Sequence, residues 1–419
     1  MFVYGGKLQL DVTLLFIIGG ASVIAFYMAW SIGSNDVANS MATAVGAKAI
    51  TFKQAVLIAG VLNVLGAVFV GGHVTDTVRK GVVGVTGLDS HTLLLGFVAS
   101  LLAAAIWVTI STWKSMPIST THSIIGALMG FGLIAGGTSS VLWDKIGAVA
   151  ASWILSPIAG AVLAFFIFKI IVKTIFAKDE PVKSAKIVGP IIIGFTAFLI
   201  ASSLFLKTPL SKNYHISEIE GLQFAAVIAV VVGIVGLFLL RKIKAHGPED
   251  YTTVEGIFRK LQIVTSCYVA FAHGANDVAN AIGPVAAIVP LAQGIDIGVK
   301  VDVPIALLLL GGVGIAIGCM TWGRKVMKTV GTKITSLTNT RGFSVDFGAA
   351  TTVLIASKLG MPISTSHTVV GAVIGVGLAR GLEAVDLSII RKIVISWLLT
   401  LPIAAGTSIA IFLCLRMVV

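Results

Sequence analysis

The feature that most constrains this chain is a short polar stretch that lies inside apolar sequence and occurs twice. Residues 33–39 read Gly-Ser-Asn-Asp-Val-Ala-Asn, and residues 274–280 read Gly-Ala-Asn-Asp-Val-Ala-Asn. An ionisable side chain at the centre of a bilayer costs about 2.5–3.5 kcal/mol on insertion scales. A chain that carries this cost twice, with the same residues, is expected to use them. The alternative, hydrogen bonding that only holds helices together, accounts less well for two copies in register.

The composition places both stretches in a membrane protein. The chain is 57% hydrophobic and 11% charged, with a mean hydropathy of +1.02, whereas a soluble domain has about 25% charged residues. We predict an all-α polytopic membrane protein with about 12 transmembrane segments. They are 12–47, 53–72, 92–113, 117–136, 142–176, 186–206, 221–242, 257–289, 304–323, 343–359, 362–379 and 389–415. The first and eighth contain the polar stretch, and we expect these two helices to be broken at Gly33 and Gly274.

The distribution of charge predicts how the chain is oriented. The net charge of +12 reflects loop lysines and arginines, which are typical of cytoplasmic loops, and it does not indicate a nucleic-acid partner. With the predicted segments alternating across the bilayer, most of the 30 Lys and Arg residues fall on one side. That side is predicted to be cytoplasmic, so both termini are expected to be extracytoplasmic in a multi-pass protein of the cell (inner or plasma) membrane.

A second repeated motif extends the similarity between the two halves. Residues 117–122 read Pro-Ile-Ser-Thr-Thr-His and residues 362–367 read Pro-Ile-Ser-Thr-Ser-His. An odd number of predicted segments separates the start of one copy from the start of the other, so the copies face opposite ways. We therefore predict two inverted repeats, a construction typical of secondary transporters. The predicted division is repeat 1 at 1–176, two linking segments with a short cytoplasmic linker at 177–256, and repeat 2 at 257–419.

The first motif predicts a cation site. Its Asp and second Asn are three residues apart and so share one face of a helix. Carboxylate and amide oxygens, with carbonyls freed by a broken helix, suit Na⁺ or a proton carried on the carboxylate. The predicted cation ligands are Asp36, Asn39, Asp277 and Asn280.

The second motif predicts an anion site. Proline in the first turn of a helix would leave free amides and hydroxyl donors at the positive end of the helix dipole. Two such tips could enclose a tetrahedral oxyanion if they end re-entrant hairpins at 92–136 and 343–379, whereas ordinary helix capping is the alternative. The predicted phosphate-binding residues are Ser119, Thr120, Thr121, Ser364, Thr365 and Ser366, together with Asn35 and Asn276, which point away from the Asp–Asn face.

With these motifs in place, the chain resembles the inorganic phosphate transporter (PiT) family. The resemblance rests on Gly-Ala-Asn-Asp-Val-Ala-Asn-Ala at 274–281, its near-copy at 33–40, and the paired Pro-Ile-Ser-Thr motifs, and it spans 12–176 and 257–415. It implies inverted repeats and cation-coupled phosphate uptake. The first copy differs by Ser34 and Ser40, which leave the polar ligands intact. Many members have a large central loop, whereas this chain has only a short linker at 241–260.

We therefore expect a symporter that imports inorganic phosphate, driven by a cation gradient, with Na⁺ as the coupling ion and no other cofactor. H⁺ coupling or sulfate as cargo is the alternative within this class, and a channel or an intramembrane enzyme lies outside it. No nucleophile with a base and an orienting group is visible, so we do not expect an enzyme. The bilayer, phosphate and sodium are the expected partners, and segments six and seven could form a homodimer surface.

Overall fold

The computed structural model describes residues 12–79, 88–207, 216–244, 247, 250–292, 303–358 and 363–418, and within these ranges the chain is built from α-helices. They are α1 Val12–Gly46, α2 Phe52–Arg79, α3 Ser90–Trp113, α4 Thr120–Gly136, α5 Trp143–Ile171, α6 Pro181–Lys207, α7 Glu218–Arg241, α8 Tyr251–Ala292, α9 Ile305–Trp322, α10 Arg324–Lys328, α11 Asn339–Lys358, α12 Thr365–Leu378 and α13 Leu387–Val418. The all-α class predicted from the sequence is confirmed.

Every segment predicted from the sequence coincides with a helix. Among the described residues, eight helices are long and apolar enough to cross a membrane, and the apolar helices α4 and α12 are shorter. The protein is therefore a multi-pass membrane protein, as expected. The number of crossings, the inverted repeats, the three-part division and the extracytoplasmic termini stay predictions.

The predicted breaks at Gly33 and Gly274 are wrong. Helix α1 runs without interruption through Gly33, and α8 runs through Gly274. Both glycines instead allow two helices to touch: a Cβ at Gly33 would overlap the carbonyl oxygen of Ile315 on α9, and one at Gly274 would overlap that of Asn63 on α2. Small residues commonly let membrane helices approach this closely. Because the helices are intact, carbonyls freed by a break are not available as ligands.

The two halves of the chain interlock. Helix α2 packs along α8, α1 along α9, α4 along α13 and α5 along α12, so each of these pairs joins one helix from each half. Helices α3 and α4 form a hairpin, in which Phe97 near the start of α3 packs on Phe131 near the end of α4. Helices α11 and α12 form a second hairpin. This interlocking brings the tips of both hairpins to the polar stretches of α1 and α8.

Candidate functional site

The carboxylate of Asp36 is buried and surrounded by hydrogen-bond donors from both hairpins. Its Oδ2 accepts from the Thr120 hydroxyl at 2.7 Å, and its Oδ1 accepts from the Ser366 hydroxyl at 3.1 Å and from the Asn39 amide at 2.9 Å. Thr120 begins α4 and Ser366 lies in the first turn of α12. Asp36 therefore connects the two tips, which lie far apart in the sequence.

Asp277 is also buried, and its main partners come from its own helix. Its Oδ1 accepts from the Asn280 amide at 3.0 Å, and its Oδ2 lies 3.0 Å from Nε2 of His273, one turn earlier on α8. The same Nε2 lies 3.6 Å from Oδ2 of Asp36. Asp36, His273 and Asp277 each offer one ligand atom, and these atoms lie within 4.8 Å of one another. The two predicted acidic residues thus meet in one cluster.

The position of the His273 ring is fixed from the opposite side. Its Nδ1 lies 2.6 Å from Oδ1 of Asn63, whose own amide donates to the Ala59 carbonyl at 2.7 Å. Because the amide nitrogen of Asn63 is the donor to the Ala59 carbonyl, the amide oxygen of Asn63 is the acceptor for the imidazole. Nδ1 of His273 therefore carries the proton of this hydrogen bond. Nε2 is consequently the nitrogen that faces the two carboxylates.

The two asparagines predicted as cation ligands make matching contacts. Asn39 donates to the Ser366 hydroxyl at 2.9 Å, and Asn280 donates to the Thr121 hydroxyl at 3.1 Å. Ser366 and Thr121 occupy the same position in the two copies of the second motif. Each Asn-Asp stretch therefore contacts the hairpin tip from the other half of the chain.

The tips themselves differ in part from the prediction. Helices α4 and α12 begin at Thr120 and Thr365. Pro117 therefore precedes the cap of α4, and the prediction that it occupies the first helical turn is wrong; Pro362 lies outside the described residues. Ser119 and Ser364 are N-caps, whose hydroxyl oxygens accept from the backbone N–H of His122 and His367 at 3.2 and 3.3 Å. The capping alternative thus describes these two serines. Each hydroxyl hydrogen stays available to donate.

Asn35 and Asn276 occupy equivalent positions but have different surroundings. Asn35 holds the first tip: its amide donates to the Thr112 hydroxyl at 2.9 Å and the Met116 carbonyl at 3.0 Å, and its Oδ1 accepts from the Ile118 N–H at 3.1 Å. Asn276 instead lines two small cavities, of about 100 Å³ and about 30 Å³. The smaller cavity also reaches His273 and Thr365.

Behind the tips, the two histidines of the second motif pack against each other. The rings of His122 and His367 meet edge to face at 4.9 Å, and His367 stacks on Trp397 at 3.9 Å. Trp153 donates to Nδ1 of His122 at 3.0 Å, and Trp397 donates to the Pro117 carbonyl at 3.0 Å. These histidines have packing and support contacts and do not line the acidic cluster.

A third buried carboxylate lies outside this cluster. Asp346 on α11 accepts from the hydroxyls of Thr43 and Ser266, both at 2.7 Å. Its bonds join α1, α8 and α11, the three helices that also carry or support the site.

The chain is similar to known proteins over the residues that form this site. The model of the phosphate transporter family matches residues 32–408, which include both polar stretches and both tips. The chain belongs to the phosphate transporter family. This membership confirms the resemblance described above and identifies a transporter rather than an enzyme.

The relatives agree with this assignment over nearly the whole chain. A protein named as a phosphate permease in Thermococcus kodakarensis is 52% identical over 397 residues, covering 94% of this chain and 97% of its own length. The chloroplastic inorganic phosphate transporter 2-1 of Arabidopsis thaliana is 41% identical over 410 residues, covering 91% of this chain and 69% of its own. A solved structure described as the sodium-dependent phosphate transporter superposes with a TM-score of 0.87 at 46% identity, covering 96% of this chain and all of its own.

Neither His273 nor Asn63 was predicted from the sequence to belong to the site. A signal for His273 was present, because it lies four residues before Asp277 and so on the same helical face. The first copy has Ile32 at the equivalent position, and comparing only the shared residues of the two copies hides such a difference.

Proposed function

We propose that this protein is a secondary active symporter that imports inorganic phosphate by alternating access, driven by a Na⁺ gradient. The observation that carries the proposal is the buried cluster of Asp36, His273 and Asp277 in contact with hydroxyl-bearing helix tips from both halves of the chain. The similarity to a structure described as a sodium-dependent phosphate transporter supports Na⁺ as the coupling ion.

The cation comes first in this proposal because the cluster is acidic. Nε2 of His273 lies 3.0 Å from the Asp277 carboxylate and 3.6 Å from that of Asp36. Two carboxylates this close together repel an anion unless a cation compensates their negative charge. Oxygen atoms from the carboxylates and the hydroxyls suit a hard monovalent cation. Asn39 and Asn280 present their NH2 groups to these oxygens in this structure, so they would have to turn over to offer an oxygen to the cation. Na⁺ bound at Asp36 and Asp277 would remove the repulsion, so that each ligand raises the affinity for the other.

The hydroxyls provide a second route to coupling. Thr120 and Ser366 donate to Asp36, and a hydroxyl has only one hydrogen to donate. A cation that takes over the carboxylate oxygens would release these hydrogens for an anion. Together with Ser119, Thr121, Ser364 and Thr365 at the same tips, they form a set of neutral donors that can bind phosphate and let it go again.

Phosphate entry requires the tips to separate. The cavity beside His273 and Asn276 has a volume of about 30 Å³, room for about two water molecules and too little for a phosphate ion. The two halves of the chain each contribute one tip and one Asn-Asp stretch, so a relative movement of the halves would open the site. Two inverted repeats would provide this movement toward either side of the membrane in turn.

The test is uptake of radiolabelled phosphate into proteoliposomes. We expect an inward Na⁺ gradient at constant pH to drive accumulation, and a pH gradient without Na⁺ to drive little. Excess unlabelled sulfate should compete weakly. Equal uptake with and without the Na⁺ gradient would exclude Na⁺ coupling, and accumulation driven by the pH gradient alone would identify the H⁺-coupled alternative.

A further inference from the structure

A groove separate from the acidic cluster lies between α7 and α8, along the part of α8 that precedes His273. It has a volume of about 580 Å³, and its lining includes Val232, Leu239, Ile257 and Val264, with Ile193 of α6 at its back. Helix α7 contributes an exposed apolar surface, which includes Val232, Val235 and Leu239 of the lining. The groove is therefore open toward the hydrocarbon of the bilayer.

One position in this apolar lining carries a charge. On α8, the residues that face the groove follow the helical spacing 253, 256, 257, 260, 261 and 264, a stripe that predicts apolar side chains. Lys260 breaks the stripe and is the one charged residue of the lining. A lysine in this position lays its aliphatic stem along apolar surface and holds its ammonium at the polar end.

The end of the groove at which α7 ends has further positive charge. Arg241 is the last residue of α7, Lys242 and Lys244 follow it, and all three are exposed next to the lining residues Leu240 and Ile243 in the sequence. Among the described residues, none of these cations or Lys260 takes part in an ion pair. Asp250 is the carboxylate beside this end and accepts from the N–H of the lining residue Thr253 at 3.0 Å, whereas Glu255 accepts from Thr338 and Thr340. The cations beside the groove therefore outnumber this one carboxylate.

We propose that this groove binds an anionic phospholipid, with an acyl chain along Val232, Leu239 and Val264 and the phosphate headgroup at Lys260. Basic pockets between transmembrane helices commonly bind anionic headgroups, and an apolar groove alone gives no such preference. A second copy of the chain fits less well, because a two-fold contact would place one cationic end against another.

Gly256 provides a direct way to close the groove. It lies in the lining, and a Cβ added there would meet nothing within 4 Å, so the backbone has room for a side chain and Gly256→Leu adds apolar volume to the groove. Gly406 on α13 is the matched control, since it is also exposed and helical and has nothing within 4 Å. Both substitutions replace a mid-helix glycine by a better helix former.

The experiment is native mass spectrometry of the full chain released from detergent, titrated with phosphatidylglycerol or phosphatidylcholine of identical acyl chains, or with inorganic phosphate alone. We expect a tightly retained phosphatidylglycerol adduct, with phosphatidylcholine and inorganic phosphate retained far less. Gly256→Leu should abolish the adduct, Lys260→Gln should weaken it about fivefold, and Gly406→Leu should leave it unchanged.

Several outcomes would overturn the proposal. They are equal retention of the two lipids, an adduct that survives Gly256→Leu, and a phosphate adduct that is lost with Lys260→Gln in the absence of lipid. A shift of Gly256→Leu from dimer to monomer would identify a second copy as the occupant. The experiment measures lipid binding and not phosphate uptake, so its result does not depend on whether Na⁺ drives transport.

Discussion

The two copies of the Asn-Asp stretch have the same residues but different surroundings. Asp36 is held by two hydroxyls and an amide, and Asn35 ties the first hairpin tip to α1 with three hydrogen bonds. Asp277 contacts an imidazole and one amide, and Asn276 faces cavities. The first copy is thus closed by its tip, and the second has unfilled space beside it.

This difference teaches that a repeated motif does not fix a repeated environment. His273 is present only in the second copy, where the first has Ile32, and the imidazole reaches both carboxylates. The two acidic residues therefore belong to one shared cluster. An ion that binds the two copies differently would do so for two reasons. His273 is present in only one copy, and Asn35 is hydrogen-bonded to the first tip whereas Asn276 lines a cavity.

The largest expected effect comes from removing either carboxylate. Asp36→Asn and Asp277→Asn each take away a charge that a cation would compensate, so we expect Na⁺-driven phosphate uptake to fall by about 100-fold. Because Thr120 and Ser366 donate to Asp36, its substitution should also make phosphate binding less dependent on Na⁺, and more so than that of Asp277. Uptake in proteoliposomes over a range of phosphate and Na⁺ concentrations measures both effects.

Asp386→Asn is the control for this pair, since Asp386 is an exposed carboxylate that caps the start of α13 by accepting from Ser388 and Ile389. It should transport normally. Full Na⁺-driven uptake by either Asp36→Asn or Asp277→Asn would show that the shared cluster is not the cation site.

The next effect tests the residue that makes the copies unequal. His273→Ile gives the second copy the residue of the first and leaves the buried Oδ1 of Asn63 without a partner, which costs about 1–3 kcal/mol. We expect a lower midpoint of thermal unfolding and uptake reduced at least tenfold, since loss of the imidazole also changes the charge balance between Asp36 and Asp277.

His273→Gln serves as the graded comparison, because its amide can still donate one hydrogen bond in this position. It should retain more stability than His273→Ile. If both variants transport phosphate as the unchanged protein does, the imidazole is only a packing element and the contrast between the copies has no consequence for the ions.

Much of this arrangement could be predicted from the sequence, and the contacts that could not be predicted share one physical cause. Hydrophobic runs and the spacing of the polar residues predicted the helices, the Asp–Asn pairs and the hairpin tips, because these features depend on residues that are close together in the chain. The contact of Asn39 with Ser366, or of His273 with Asn63, depends on which helices pack together. The predicted breaks failed for the same reason: a glycine that permits a kink also permits close packing, and only the neighbouring helix decides which occurs.

A smaller effect separates Asn35 from Asn276. Asn35→Ala removes three hydrogen bonds that hold the first tip, and we expect it to lower the free energy of unfolding by about 1–3 kcal/mol. Asn276→Ala should leave stability nearly unchanged, since its side chain faces a cavity, but it should raise the KM for phosphate if that cavity leads to the anion site. Thermal unfolding and uptake kinetics on the same preparations separate the two. Equal destabilisation by both substitutions would contradict the inequality of the copies.

The smallest effect is expected where the copies are alike. Ser119 and Ser364 cap their helices with the same geometry, so Ser119→Ala and Ser364→Ala should each cost about 1 kcal/mol of stability. Ser119→Gly and Ser364→Gly should cost only a few tenths of a kcal/mol of stability, because Gly is tolerated at an N-cap, but they remove the hydroxyl donor and should weaken phosphate binding at that tip. If both Gly variants retain phosphate affinity, these serines are caps alone, and the donors for the anion must come from Thr120, Thr121, Thr365 and Ser366.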